Sequence, residues 1–120
     1  EGASKFIQIE VLKCKTEEDA KKIAFSIANS KLVKTAISGE DPNWGRIMMA
    51  VGKADVDLNI NSVNLTIGNY KVLEKGQLSK NYSEQNLQQY MNFHFHELLF
   101  SLCLGFDLSL KSIGLRHGNH

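Results

Sequence analysis

The sequence has little cysteine, proline and tryptophan: its 120 residues include two cysteines, one proline and one tryptophan. Cys14 and Cys103 lie far apart, form no CxxC pair and follow no secretory signal. This pattern argues against a disulfide framework and against a zinc ribbon, and it makes a reducing cytoplasm the expected compartment. We expect both cysteines to be small buried hydrophobic side chains.

Long apolar runs and an excess of one charge are also missing. No apolar segment approaches the roughly 20 residues that a membrane-spanning helix requires. The 14 basic and 13 acidic residues are mixed along the chain and give a net charge of +1. The composition therefore predicts neither membrane insertion nor binding to nucleic acid or an anionic membrane.

The length of 120 residues predicts a single domain, residues 1–120, with one modest core. The first residue is Glu1 and not a methionine. We expect a processed chain or a fragment of a longer protein.

The N-terminal third predicts a strand followed by a helix. Residues 5–15 nearly alternate, with Ile7, Ile9 and Val11 on one side, which indicates a half-buried strand. Thr16 is placed as an N-cap with Asp19 three residues later. Apolar residues then recur at helical spacing: Ala20, Ile23, Ala24, Ile27 and Ala28.

The remaining pattern predicts several strands and a second clear helix. Residues 33–37 alternate and predict a short strand that ends at Gly39. The following predicted elements are a helix from Pro42 to Gly52, strands at residues 56–60, 63–67 and 70–74, a helix at 83–91 and a final strand at 100–111. This order predicts an α+β fold with a mixed or antiparallel sheet and two to three helices.

The stretch "GEDPNWGR", Gly39 to Arg46, is the most unusual part of the chain. Asp41 as N-cap and Pro42 as first helical residue explain part of it as the start of a helix. That explanation does not account for Glu40, Asn43, Gly45 and Arg46 together. A glycine early in a helix costs about 1 kcal/mol relative to alanine, which indicates a close approach to the backbone.

The runs "EGASKFIQIEV" and "AKKIAFSIANSKLVKTAISGEDPNWGRI" closely resemble the β-chain of ornithine acetyltransferase, also called glutamate N-acetyltransferase. This family consists of bifunctional enzymes of arginine biosynthesis. The resemblance continues in register through "AVGKADVD", Ala50 to Asp57, and more loosely to Tyr90 and Met91. It covers about three quarters of the chain.

The resemblance implies a mechanism that needs parts outside this sequence. Family members are made as a precursor that cuts itself before a threonine, and this threonine then carries acetyl from N-acetylornithine to glutamate. The threonine lies upstream of the position that matches Glu1, and the oxyanion donors belong to the α-chain. We therefore assign no catalytic residue here, and we interpret Thr16, Thr35 and Thr66 as cap, strand and strand residues. The resemblance implies no cofactor, and it implies as partners an α-chain and the remainder of the β-chain in an α2β2-type assembly.

The site residues that the resemblance implies are few. Glu1 belongs to the family's "EGA-[TS]-K" motif and is predicted to contact the amino-acid substrate, because a carboxylate suits an ammonium group. The "GEDPNWGR" stretch matches the family's signature loop, whose predicted structural residues are Asp41 (cap), Asn43, Trp44 (packing) and Arg46 (a candidate anchor for a neighbouring carboxylate).

Residues 92–120 depart from the family pattern, since they lack its "W-G-C-D-L-T" type segment and its substrate-contacting tail. This part is either divergent or the product of a reading-frame change. It contains His94 and His96, predicted on one side of a strand, and also Cys103, His117 and His120, but their spacing matches no zinc pattern, so we expect no metal site. The alternative function is a catalytically empty fragment or assembly module of the same family.

Overall fold

The computed structural model describes residues 5–94, 97–106 and 113–119. These residues form four α-helices, one 3-10 helix and a six-stranded sheet. The helices are α1 (Glu17–Ala28), α2 (Lys31–Ser38), α3 (Trp44–Gly52) and α4 (Glu84–Phe93), and the 3-10 helix is Ile60–Ser62. The strands are β1 (Lys5–Leu12), β2 (Asn64–Ile67), β3 (Tyr70–Glu74), β4 (Gln77–Leu78), β5 (Glu97–Cys103) and β6 (Ile113–Asn119).

The sheet is mixed, with the strand order β4-β3-β2-β5-β1-β6. β1 and β5 run parallel at its centre, with Ile9 beside Phe100, and the other neighbours are antiparallel. The predicted α+β class with a mixed sheet is thereby confirmed. None of the helices in the described ranges is long and apolar enough to cross a membrane.

The core lies between one face of the sheet and the helices. Alternate side chains of the central strands are buried, as the period of two requires: Ile7, Ile9 and Val11 from β1, and Leu98, Phe100 and Leu102 from β5. Each α-helix adds its own apolar stripe to the same cluster. The strand side chains that point the other way, such as Gln8 and Ser101, are half-buried.

The strands predicted at residues 5–15 and 63–67 appear as β1 and β2, and three further elements also appear where the sequence placed them. α1 begins after Thr16, whose Oγ1 accepts a hydrogen bond from the backbone N–H of Asp19 at 3.0 Å. β3 has the predicted bounds of Tyr70–Glu74. α4 begins after Ser83, which caps it by accepting from the N–H of Asn86, and continues two residues beyond the predicted end at Met91.

The strand predicted at residues 33–37 is wrong, because this segment is part of helix α2. Val33 and Ile37 are buried at helical spacing, and so is Ala36, which the alternating pattern passed over. Ser30 is the N-cap of this helix, and its Oγ accepts a hydrogen bond from the N–H of Val33 at 3.2 Å. Thr35 is therefore a helix residue, and its hydroxyl donates to the carbonyl of Lys31 at 2.8 Å. The described ranges therefore contain four α-helices, one more than the upper end of the predicted two to three.

The strand predicted at residues 56–60 is also wrong. Val56 and Leu58 pack against the core from a segment without ladder pairing, and Ile60 opens the 3-10 helix. β2 already has β3 on one side and β5 on the other, so no free edge remains beside it. The hairpins that form instead join β2 to β3 and β3 to β4.

The C-terminal prediction needs two corrections. His94 is the C-cap of α4 and not a strand residue, while His96 lies outside the described residues. β5 begins at Glu97, earlier than predicted, and ends at Cys103. Residues 107–111 of the predicted strand lie outside the described ranges, and β6, which was not predicted, pairs with β1.

Candidate functional site

The "GEDPNWGR" loop begins by closing the end of α2. The N–H of Asp41 donates to the carbonyl of Ala36 at 2.8 Å, and the N–H of Glu40 donates to the carbonyl of Ile37 at 3.0 Å. This pair of bonds is a Schellman motif, in which the residue after the C-cap takes a left-handed conformation and is usually glycine. Here that residue is Glu40, with φ 54°. Glu40 therefore carries a side chain at a left-handed backbone position that favours glycine.

The start of α3 differs from the prediction. Asn43, and not Asp41, is the N-cap: its Oδ1 accepts from the N–H of Arg46 at 3.2 Å, and Trp44 is the first helical residue. Asp41 and Pro42 are used in the preceding turn, because the carbonyl of Asp41 accepts from the N–H of Asn43. The prediction that Asp41 caps and Pro42 opens the helix is wrong by two residues, since it did not include the Schellman closure.

Helix α4 holds the loop from the side. Gln88 Nε2 donates to the carbonyl oxygen of Glu40 at 2.6 Å. In the amide orientation that satisfies both of its polar groups, Asn92 donates to Glu40 Oε1 at 3.1 Å. The strained residue is thus bound at its backbone and at its carboxylate by two side chains one helical turn apart.

The underside of the loop is packed into the core. Pro42 is buried and lines a small pocket of about 10 Å³ together with Ile37, Ile47, Met91 and Phe100. A pocket of this size is at the limit of holding one water molecule. The loop therefore leaves no room beneath it for a substrate.

The outer side of the loop lines a shallow depression of about 320 Å³. Asp41 and Glu84 contribute carboxylates to it, and the rings of Trp44 and Tyr82 meet edge to face at 6.4 Å. Carboxylates and aromatic faces suit a positively charged group. The residues that line this depression include no serine, threonine or cysteine, so it offers none of the usual acyl-accepting nucleophiles.

The guanidinium group of Arg46 binds a backbone carbonyl of this chain. Its Nη1 donates to the carbonyl of Leu32 at 3.0 Å, which ties the first turn of α3 to the first turn of α2. The predicted role of Arg46 as an anchor for a carboxylate stays a prediction.

A family model described as the ArgJ family matches residues 1–107. The chain belongs to the ArgJ family. Similar proteins carry the name arginine biosynthesis bifunctional protein ArgJ. The one from Ruegeria pomeroyi is 44% identical over 110 residues, which are 92% of this chain and 26% of that protein. The one from Bacillus cereus strain ATCC 10987 is 42% identical over 104 residues, 87% of this chain and 25% of that protein.

The fold agrees with that assignment. The crystal structure of the ArgJ protein from Bacillus halodurans superposes with a TM-score of 0.85 at 30% identity, and the match covers 97% of this chain and 53% of that one. The chain spans about a quarter of the length of the curated ArgJ relatives. The family match extends to residue 107, beyond Met91, where the resemblance described from the sequence ended.

The three threonines of this ArgJ chain lie in different elements, and the predicted substrate contact cannot be placed. Glu1 lies outside the described residues. Thr16 caps α1, Thr35 lies in α2 and Thr66 lies in β2. Within residues 6–94 and 97–106 no cluster of histidine, cysteine, aspartate or glutamate could hold a metal ion, and His96, His117 and His120 lie outside those ranges.

Two side chains have shifted pKa values, and neither shift favours a nucleophile. Burial raises the pKa of Cys14 to about 11, and the nearby Asp19 carboxylate and, to a smaller extent, the neighbouring Cys103 act in the same direction. Burial likewise raises the pKa of Tyr90, although the hydrogen bond from the N–H of Leu99 to its hydroxyl at 2.9 Å acts in the opposite direction. Both groups are protonated at neutral pH, and the Tyr90 ring stacks on His94 at 4.6 Å.

The contacts of Glu40 with Gln88 and Asn92 are not predicted by the sequence pattern. The pattern marks Glu40 only as one of several residues that capping does not explain. The signal in α4 is the pair Gln88 and Asn92, four residues apart and each directly following a buried residue, Leu87 or Met91. Their partner is 48 positions from Gln88 in sequence, so no local pattern identifies it.

Proposed function

We propose that this chain is part of an N-acetyltransferase that moves an acetyl group from N-acetylornithine to glutamate in arginine biosynthesis. The observation that carries the proposal is the ArgJ family match over residues 1–107, which includes both the "EGASK" and the "GEDPNWGR" stretches. The relatives from Ruegeria pomeroyi and Bacillus cereus are named as arginine biosynthesis proteins.

In this proposal the reacting groups come from outside the chain. The nucleophile is an N-terminal threonine upstream of Glu1, created by self-cleavage of a precursor; its freed amine acts as base, and the α-chain supplies the oxyanion donors. Two of the three threonines support this division, because the hydroxyls of Thr16 and Thr35 are already used in helix hydrogen bonds. The raised pKa of Cys14 likewise argues against a thiol nucleophile.

The chain itself contributes a substrate contact and a scaffold. Glu1 pairs through its carboxylate with the ammonium group of the amino-acid substrate. The loop residues Asp41, Asn43, Trp44 and Arg46 have a structural role in this proposal: Asn43 caps α3, and Arg46 joins α3 to α2. The chain acts as one domain, without a cofactor, in an α2β2-type cytoplasmic assembly with an α-chain and the rest of the β-chain.

The test combines intact-mass spectrometry with an acetyl-transfer assay from N-acetylornithine to glutamate, on the polypeptide expressed from the complete gene. We expect two chains and activity. Glu1→Gln should lower kcat/KM at least about tenfold, since it removes a charge-assisted contact with the substrate. Glu17→Gln, at the exposed start of α1, is the matched control and should stay within about twofold of the wild type.

A single inactive species would contradict the proposal. That result would instead favour the alternative, a catalytically empty module of the ArgJ family. If the Glu1→Gln and Glu17→Gln enzymes are equally active, Glu1 does not contact the substrate.

A further inference from the structure

The outer surface of α1, α2 and α3 has an apolar groove that the fold itself does not fill. Phe25, Leu32 and Met49 line it with exposed fractions of 51%, 42% and 53%. They are three of the seven large hydrophobic side chains that the described residues leave exposed. The groove has a volume of about 490 Å³ and is the largest of the depressions described in these ranges. Apolar side chains gathered in one depression indicate a contact surface, whereas scattered ones do not.

The rim of the groove is positively charged. Lys31 and Lys53 line it, and no acidic residue does. Within the described part of the chain neither lysine forms an ion pair. The surface is therefore complementary to a segment that combines apolar side chains with carboxylates.

The shape of the groove is fixed before anything binds. The Ser26 hydroxyl donates to the carbonyl of Ala50 at 2.5 Å and joins α1 to α3. Arg46 joins α3 to α2 through the carbonyl of Leu32 at 3.0 Å. Because these two bonds connect all three helices, an occupant meets a surface whose backbone is already ordered, which lowers the entropic cost of binding.

We propose that this groove docks an apolar, acid-bearing segment of the ArgJ polypeptide that lies outside this chain. The inference rests on the proposed function, which places the chain in a larger ArgJ assembly. The length relation supports this occupant, because the chain spans only 26% of the Ruegeria pomeroyi relative and 53% of the solved Bacillus halodurans chain. A second copy fits less well, since a two-fold contact would bring two positively charged rims together.

The test measures binding of the complete 120-residue chain to a defined probe, the part of the Ruegeria pomeroyi ArgJ polypeptide outside the segment that this chain matches. Titration calorimetry gives the affinity. The double variant Phe25→Ser/Met49→Ser should bind at least about tenfold more weakly. Lys31→Glu/Lys53→Glu should also bind at least about tenfold more weakly and should lose most of the salt dependence.

The control is Ile60→Ser/Leu78→Ser, which removes two side chains that are 52% and 50% exposed but lie outside the groove. It should bind within about twofold of the wild type. Circular dichroism of each variant confirms that the helices are intact, and the charge variant tests the same surface without removing apolar area.

Groove variants that bind as tightly as the wild type would overturn the inference, as would a wild-type chain that does not bind the probe. Dimerisation of the chain that the Phe25→Ser/Met49→Ser variant abolishes would assign the groove to a second copy and overturn the proposed occupant. The acetyl-transfer assay on the mixture separates the two proposals. If the groove variants keep the acetyl-transfer activity of the wild type, the docking inference is refuted and the proposed function stands. If the chain binds the probe through the groove but the complex transfers no acetyl group, the proposed function is refuted and the docking inference stands.

Discussion

The loop at residues 39–46 and the groove formed by Phe25, Leu32 and Met49 share helices α2 and α3 but differ in how their side chains are used. In the loop, Pro42 is buried, Asn43 caps α3, and Glu40 is bound by Gln88 and Asn92. In the groove, three large apolar side chains are exposed and two lysines have no ion pair among the described residues.

The difference shows where local structure accounts for a residue and where it does not. The loop attracts attention in the sequence, yet most of its unusual residues have partners within this chain. The groove residues look ordinary in the sequence, since single apolar residues on helix surfaces are common. Only their convergence in space makes them a candidate interface.

The largest expected contrast lies within α3, which contributes to both regions. Ile47 is 3% exposed beneath the loop and Met49 is 53% exposed in the groove. Ile47→Ala should lower the free energy of unfolding by about 2–5 kcal/mol, because it leaves a cavity. Met49→Ala should change it by no more than about 0.5 kcal/mol. Urea unfolding of the two variants measures the contrast, and equal losses would show that Met49 is part of the core.

A smaller effect tests which residue caps α3. Asn43→Ala should cost about 1 kcal/mol, because the N–H of Arg46 loses its acceptor. Asp41→Ala is the matched control and should cost less, since the Asp41 carboxylate contacts only the Asn43 amide at 3.5 Å among the hydrogen bonds described for it. Thermal unfolding of both variants shows which substitution lowers the stability more. A larger loss for Asp41→Ala would show that Asp41 is the cap.

The smallest expected effect tests the hydrogen bond between α4 and the loop. Gln88→Ala removes the 2.6 Å hydrogen bond to the Glu40 carbonyl and should cost about 0.5–1.5 kcal/mol. Gln89→Ala, at an exposed neighbouring position of the same helix, is the control and should be nearly neutral. Hydrogen exchange at the Asp41 amide should accelerate in the first variant and not in the second. Unchanged exchange in both would mean that the Schellman bonds alone keep the loop in place.

Much of the fold was accessible from local pattern. Thr16 and Ser83 are strong N-caps followed by helical periodicity, and residues 70–74 alternate between clear turn signals, so α1, α4 and β3 were predicted correctly. Residues 33–37 were not, because Val33 and Ile37 fit both a period of two and a helical stripe. The candidate site was only partly accessible: the loop was identified as unusual, but its cap was assigned to Asp41 instead of Asn43.

The sequence by itself determined the α+β class and the main helix starts. Through "EGASK" and "GEDPNWGR" it also determined the resemblance to the ArgJ family. These features depend on neighbours within a few residues or on runs of identical letters. The tertiary structure decided that α2 is a helix and that residues 56–60 do not join the sheet. It also decided that α4 binds Glu40, and that three helices gather Phe25, Leu32 and Met49 in one groove. The first of these needed the core to choose between two local periods. The others depend on contacts between distant segments, which form only when burial of the common core brings the helices and strands together.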